Sequence, residues 1–371
     1  MKICVVADAS SPLTRRWVAP LVERGHELTL FSYRSVASPI TGVETVDLTR
    51  LCTLPKVRFA VWGWWLRRAL RRIRPDILHA RPVTAAGWLG ALAAYRPFVV
   101  TATGSDLLVE PHRGPCRRLL LRYVLSHCDR LTAPTETLLA AARATGCPAA
   151  RCRLVPWGVD TAVFRPDPAD RRRMRVRLDI PAEAPLVLCP RGVSPIYNLD
   201  TLVEACAVAR QVHPQLVLAF VEFHVDREYA AAVRRLVTSV GLGDSVHWLP
   251  AAGNDVAMAE LFCTADVVAS LPSSEGFGSS VWEALACGCP TVITDLPVFR
   301  HELEDGIHVL KVPVRDAAAT ARALNVLLGD EERRERLRRN AVAAAREHGA
   351  ARPAELAEAL YRELARAPKE S

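Results

Sequence analysis

The sequence predicts an α/β protein made of two Rossmann-like, doubly wound halves. Its 371 residues suffice for two domains of ordinary size, each with its own core. Short apolar runs alternate with helix-length amphipathic segments along almost the whole chain. That alternation breaks once, in a Pro/Asp/Arg-rich stretch near 166–184, and then resumes. Strand–helix alternation of this kind implies parallel sheets wrapped by helices. The expected organisation is an N-terminal domain at 1–165, a linker at 166–184 and a second domain at 185–345. A C-terminal helix at 346–371 is free to pack back on the first domain.

The elements follow in order. In the first half the apolar runs Ile3–Ala7, Leu28–Phe31, Ile77–Ala80, Phe98–Thr101 and Arg130–Ala133 read as strands. Between the first two, Thr14–Arg24 has helical spacing and ends at Gly25, the residue a helix C-cap favours. In the second half strands are expected at Leu186–Cys189, Leu216–Phe220, Val246–Leu249, Val267–Ser270 and Thr291–Thr294. Helices such as Leu199–Val212 and Glu228–Val240 separate them, and the Ala/Arg/Glu-rich stretch from Asp316 to Lys369 reads as helical throughout. Ligands of such sheets bind at the carboxyl ends of the strands, so a cleft facing both sheets is the expected site.

Composition narrows the class. Half the residues are hydrophobic and 24% are charged, which is ordinary for a globular chain. The uncharged run from Val83 to Tyr95 falls short of the roughly 20 apolar residues that cross a bilayer. MKICVVADASSP enters a strand-like run directly, without the features of a signal peptide, so a cytoplasmic location is expected. Eleven cysteines without a C-x-x-C argue against a disulfide framework or a tetrahedral zinc site. The net charge of +8 is uneven. Residues 1–165 hold 24 Lys+Arg against 11 Asp+Glu, a net +13, which leaves −5 for the remainder. A basic half suits an anionic partner, whether lipid, nucleic acid or an acidic small molecule.

Several chemistries are missing. There is no G-x-x-x-x-G-K-[ST] loop, and Asp-Ala-Ser-Ser-Pro follows the first strand where a dinucleotide site needs G-x-G-x-x-G. No D-x-D pair offers to hold a divalent cation on a diphosphate, and no G-x-S-x-G elbow appears.

The chemistry is concentrated between Ala265 and Pro290. A buried strand ends at Ser270, a loop with Glu275, Gly276 and Gly278 follows, and a helix begins near Ser280. Glycines let the backbone approach a ligand, while a helix N-terminus offers free N–H groups and about half a positive charge. That combination suits a diphosphate, with a carboxylate beside it for sugar hydroxyls.

This segment resembles the E-x7-E signature of family 4 glycosyltransferases, retaining enzymes of the GT-B fold that use nucleotide-sugar donors. Other motifs match in order. Arg74-Pro-Asp-Ile-Leu-His79 is similar to the family's "PDIVHAH" strand, and Thr103-Gly-Ser-Asp106 to its "HGSD" loop. Val155-Pro-Trp-Gly-Val-Asp160 with Phe164-Arg-Pro166 is similar to "P-x-GVD…F-x-P". Arg191-Gly-Val-Ser-Pro195 with Asp200 fits "GR-x-x-x-x-K-x-x-D", and Asp295 through Glu302 resembles "D-x-x…R-E". The resemblance covers roughly residues 1–345.

It implies a role for each matching position. Glu275 would bond the donor sugar hydroxyls, and Arg191 would neutralise the diphosphate leaving group; these two are the expected catalytic pair. The backbone of Gly276, Phe277 and Gly278 would meet sugar and diphosphate, and Glu283 would hold the ribose hydroxyls. No metal or other cofactor is implied, since Arg191 and the helix terminus would share the negative charge. Asp106, Thr103 and Ser105 would line the acceptor side.

Three departures stand out. Tyr197 replaces the second diphosphate cation, a lysine, and is expected in the donor site; a charge-assisted bond of about 1.5–3 kcal/mol is lost there. Thr103 replaces the histidine of "HGSD". Phe220 and Glu222 stand where glycines are expected after the second strand of the C-terminal half.

Plainer readings exist. Ser280-x-x-Glu283 is also a capping box. Arg191 could be a surface arginine, Glu275 a solvated carboxylate and Asp106 a helix cap. His79 and His26 read as structural. The stretch 56–74 has seven basic residues, four aromatics and no acid. With Val57, Val61, Trp64 or Trp65 and Ile73 on one face, and Phe59 and Trp62 beside the arginines, it suits peripheral contact with an anionic membrane, on the inner face. It equally suits an amphipathic domain helix with core tryptophans. No nucleic-acid module surrounds it.

The resulting expectation is a retaining transfer of a sugar from a nucleotide diphosphate donor to an acceptor hydroxyl, the acceptor being anionic, lipid-linked or a polysaccharide precursor. The alternatives are a GT-B sugar-nucleotide epimerase, which would turn over without acceptor, and a non-catalytic nucleotide-sugar-binding subunit, which would bind without transfer.

Overall fold

The computed structural model describes residues 1–36, 39–55, 57–349 and 351–366. Lys56 and the residues after Arg366, at the edges of two expected helices, lie outside the described residues. The chain divides into two compact units, one of Met1–Trp157 with the segment from Ala351 on, the other of Gly158–Ala350.

The first unit is built on strands β1 (Lys2–Ala7), β2 (Glu27–Ser32), β3 (Glu44–Asp47), β4 (Ile77–Ala80), β5 (Phe98–Thr101), β6 (Arg130–Ala133) and β7 (Cys152–Leu154). They form one parallel sheet in the order β3-β2-β1-β4-β5-β6-β7, so the winding reverses between β1 and β4. The second unit has β8 (Leu186–Cys189), β9 (Val217–Glu222), β10 (Val246–Pro250), β11 (Val267–Ser270), β12 (Thr291–Thr294) and β13 (Leu310–Val312). These are also parallel, ordered β10-β9-β8-β11-β12-β13, with the reversal between β8 and β11. Central strands such as β4 and β8 are buried along their whole length, as helices on both faces require. β3, β7 and β13 were not expected. All three are short edge strands of three or four residues, too mixed in polarity to show a period.

The stretch expected as a linker is structured. Pro168–Arg177 is a helix whose N-cap Asp167 accepts from Ala169 N at 2.8 Å and Asp170 N at 3.2 Å. Its Arg175 is buried and pairs with Asp266 at 2.7 Å while donating to the carbonyls of Pro181, Ala182 and Ala184. Arg175, and half-buried Arg171 with the same Asp266, are thus spent inside the second unit, and the chain leaves the first unit at Trp157. The stretch from Asp316 expected to be helical throughout is three helices, Ala317–Gly329, Glu331–Glu347 and Ala351–Arg366, and Asp330 caps the second by accepting from Arg333 N.

The helix Arg58–Ile73 resolves the plainer reading only in part. Trp62, Leu66 and Leu70 face the core; Trp62 lies beside an arginine as expected, 5.5 Å under the Arg58 guanidinium, but is buried, whereas Trp64 is exposed. Phe59 is half-buried against Trp62 and Trp88.

The C-terminal helix Ala351–Arg366 packs within the first unit. Its Tyr361 hydroxyl lies 2.5 Å from Nδ1 of His79, whose Nε2 is 2.6 Å from the Thr101 hydroxyl. Burial, reinforced by the nearby Arg81 charge, pushes the His79 imidazole well below its ordinary pKa of 6.5. A depressed base binds its proton in the unfolded chain first, so stability is lost as pH falls through 6.5. The loss reaches about 1.4 kcal/mol per pH unit for one group. Urea unfolding of His79→Gln should therefore fall less steeply between neutral and mildly acid pH than that of the parent chain. Parallel slopes would refute the assignment.

Candidate active site

The carboxyl end of the second sheet, at the β8/β11 reversal, collects the residues singled out above. β8 delivers Arg191 from its exit loop, and β11 delivers the loop Leu271–Gly278. The loops are tied by Asn198, the last residue of the run Pro195-Ile-Tyr-Asn198. Its φ of 49° and its burial turn the amide toward the β11 loop. Nδ2 donates to Leu271 O at 2.7 Å and Ser273 Oγ at 2.9 Å, and Oδ1 accepts from Arg315 Nε at 3.1 Å. Ser273 N donates to Ile196 O at 2.8 Å, which closes the tie.

Arg191 is the centre of the site. Its Nη2 lies 2.8 Å from a Glu275 carboxylate oxygen, and Nη1 donates to Ser280 Oγ at 2.8 Å. The guanidinium sits 4.3 Å over the Tyr197 ring, a cation–π contact. The Arg191 and Glu275 side chains are partly buried, 12% and 13% exposed. Burial opposes the Arg191 charge, but Glu275 and Tyr197 outweigh it and hold the pKa above its usual value. Nε is buried without a hydrogen-bond partner, a spare donor inside a charged site.

The other oxygen of Glu275 accepts from Gly276 N at 2.9 Å. Gly278 then takes φ +78° and becomes the N-cap of the helix Ser279–Ala286. No side chain caps that helix, and Ser280 Oγ is engaged by Arg191, so the capping box does not form. The helix dipole is left open to an anion. Phe277 is buried, and Glu283, 6% exposed, lies farther along the same helix. Among the described residues no group of three or more His, Cys, Asp or Glu is placed to hold a metal ion.

Asp106, Thr103 and Ser105 lie in the first unit, beyond the carboxyl end of β5. Asp106 is fully buried and accepts from the backbone N–H of Val83, Thr103 and Gly104 at 2.8–3.1 Å. It locks the loops after β4 and β5 together, which makes it a positioning residue. Thr103 is half-buried and Ser105 exposed.

Comparison with known proteins bears on the family and the fold. Residues 170–343 match the family described as "Glycosyl transferases group 1", and residues 13–163 match "Glycosyltransferase Family 4". A D-inositol 3-phosphate glycosyltransferase of Xylanimonas cellulosilytica is 32% identical over 336 residues, which is 84% of this chain and 77% of the relative. One from Kineococcus radiotolerans is 31% identical, covering 92% and 87%. Against the Salinispora tropica enzyme of that name, 32% identical over 73% of this chain, the chain spans 60% of the relative's length. Among solved structures, HepE of Anabaena with UDP and glucose superposes with TM-score 0.81 at 20% identity, over 98% of this chain and all of that one. Sucrose-phosphate synthase of Thermosynechococcus elongatus gives 0.83 at 21%, over 98% and 99%. Those two likenesses show the GT-B fold. The chain is a member of glycosyltransferase family 4.

Proposed function

We propose that this chain moves a sugar, with retention of configuration, from a nucleotide diphosphate donor to a hydroxyl of a phosphate-bearing acceptor. The observation that carries the donor half is Arg191, partly buried, with a buried spare Nε donor beside a helix N-terminus that no side chain caps. A diphosphate supplies the oxygens that such a donor and such a terminus lack.

Each residue then has a task. Arg191 and the first N–H groups of Ser279–Ala286 stabilise charge on the departing diphosphate, the role a divalent cation fills elsewhere. Glu275, held by Gly276 N, turns its pair with Arg191 toward the sugar hydroxyls. Phe277 and Gly278 shape the backbone that the sugar meets, and Glu283 takes the ribose. Tyr197 keeps the guanidinium flat at the site. No carboxylate is placed as an obvious nucleophile, so same-face substitution, with the leaving diphosphate oxygen taking the acceptor proton, is the mechanism we favour.

The acceptor half rests on charge. The +13 of residues 1–165 suits an anionic acceptor, and the relatives above are named for a substrate carrying a phosphate. Peripheral contact of the helix in 56–74 with a membrane belongs to the same reading. Among the described residues no helix is long and apolar enough to cross one.

A thermal-shift panel of UDP-, GDP-, ADP-, CMP- and TDP-sugars tests the donor half. A true donor at about 100 times its Kd adds about 2.7 kcal/mol of stability, which raises Tm by about 5–10 °C. The hit should be hydrolysed slowly without acceptor. A panel with no shift at all would sink the reading.

A further inference from the structure

The first unit leaves one helical layer unfilled. The helix Arg58–Ile73 buries one side and turns Val61 and Trp64 outward, with Trp64 64% exposed. The helix Ala85–Ala93 runs beside it, and its Leu92 lies 3.1 Å from where a β-carbon on Gly63 would stand. A third helix, Pro115–His127, packs on the far side of the second, its Val124 against Gly87. It leaves Leu119 68% exposed and Leu120 exposed beside it. A single exposed leucine is ordinary, but a run of large apolar side chains across three adjacent helices is not.

Charge says what covers this layer. The two outer helices contain no acid. Their outward positions carry Arg67, Arg68, Arg71, Arg72, Arg118 and Arg122, none of them paired with a carboxylate among the described residues. Two copies of so basic a face would repel, which argues against self-association. Unpaired arginines around a tryptophan and leucines are what the headgroup boundary of an anionic bilayer accommodates.

We propose that this three-helix face docks on an anionic lipid bilayer, with the arginines among headgroup phosphates and Trp64, Leu119 and Leu120 entering the interface. The face extends beyond residues 56–74 to helices whose sequences showed no such sign. Its purpose, holding the acceptor-binding unit at a membrane, rests on the transferase reading; the contact itself does not.

Co-sedimentation of the full chain with phosphatidylcholine vesicles, with and without phosphatidylglycerol, tests it. Binding is expected only with phosphatidylglycerol and should weaken as salt is raised. Trp64→Ser with Leu119→Ser should cut partition by about tenfold or more, and each of Arg68→Gln and Arg118→Gln by about fivefold. All four sites are exposed, so thermal melting should be unchanged. Failure to bind either vesicle, or binding indifferent to these changes, overturns the proposal. So does a dimer in sedimentation velocity that Leu119→Ser splits, or an acidic protein partner that competes while vesicles do not. Nucleotide-sugar binding measured on the same variants keeps this outcome separate from the donor reading, which no face variant should disturb.

Discussion

Arg191→Met folds, loses about 2–4 kcal/mol of stability, and loses transfer by a factor of about 10²–10³ or more. The two losses have different origins. The first arises because Glu275 is left as a buried carboxylate without its cation, and removing one partner of a buried pair costs several kcal/mol. The second arises because a fixed donor aimed at developing charge is worth about 2.7–4 kcal/mol of barrier in comparable sites. A second substitution separates them. Adding Glu275→Gln to Arg191→Met removes the stranded charge while keeping the side chain's shape, so most of the stability returns. Activity should not return, because neither the diphosphate contact proposed for Arg191 nor the sugar contact proposed for Glu275 is restored. Urea melts and initial rates on the parent, both single variants and the double variant decide the matter. If the ion pair were merely structural, the stabilised double variant would recover turnover alongside its fold.

This pair also shows how much of the site was legible beforehand. Glu275, Gly276, Gly278 and Arg191 were readable because the chemistry demands particular residue types in an order that a family resemblance could match. Their geometry brings Arg191 and Glu275 to 2.8 Å and Ser280 into the same cluster. The part Asn198 plays was not readable. Its contribution is a left-handed backbone and an amide that reaches 73 residues ahead to Leu271 O, which has no local pattern. Arg315 joins it from 117 residues away for the same reason. The plainer capping-box reading of Ser280-x-x-Glu283 fails, since spacing alone does not show that the helix is capped at Gly278 and that Arg191 donates to the Ser280 hydroxyl.

The fold divides along similar lines. Central strands announce themselves because both faces are buried and the residues run apolar without interruption. Edge strands have one open side and need few apolar residues, so β3 and β13 carry little signal. The arginine-rich stretch after Phe164 misled in the opposite direction. Its Pro/Asp/Arg-rich composition suggested a linker, yet Arg171 and Arg175 converge on Asp266 and fold the segment into the second unit. Composition reports average exposure; it does not report that one aspartate gathers two arginines.

Gly278→Ala is the other change expected to do severe damage, and its argument is steric. The residue sits at φ +78°, where an L side chain costs about 1–2 kcal/mol. A β-carbon there would also stand 2.6 Å from Cζ and 2.7 Å from Cε1 of Phe299, a ring that is fully buried and has nowhere to retreat. Overpacking adds about 1–3 kcal/mol, so a total near 3 kcal/mol is expected against a domain stability of about 5–15 kcal/mol. The displacement falls on the N-cap of the helix proposed to meet the donor, so nucleotide-sugar affinity should drop by about tenfold or more. Gly241 provides the control within the same unit. Its φ is +74°, and nothing lies within 4 Å of the position its β-carbon would take. Gly241→Ala should therefore lose only the backbone share, about 1–2 kcal/mol, and leave donor binding intact. Phe299→Leu, which shortens the ring that blocks the methyl group, should recover part of the Gly278→Ala loss as a favourable coupling of about 1–2 kcal/mol in a double-mutant cycle. If Gly278→Ala proves as mild as Gly241→Ala, the close approach to Phe299 does not shape the donor loop, and the open helix terminus loses its structural cause.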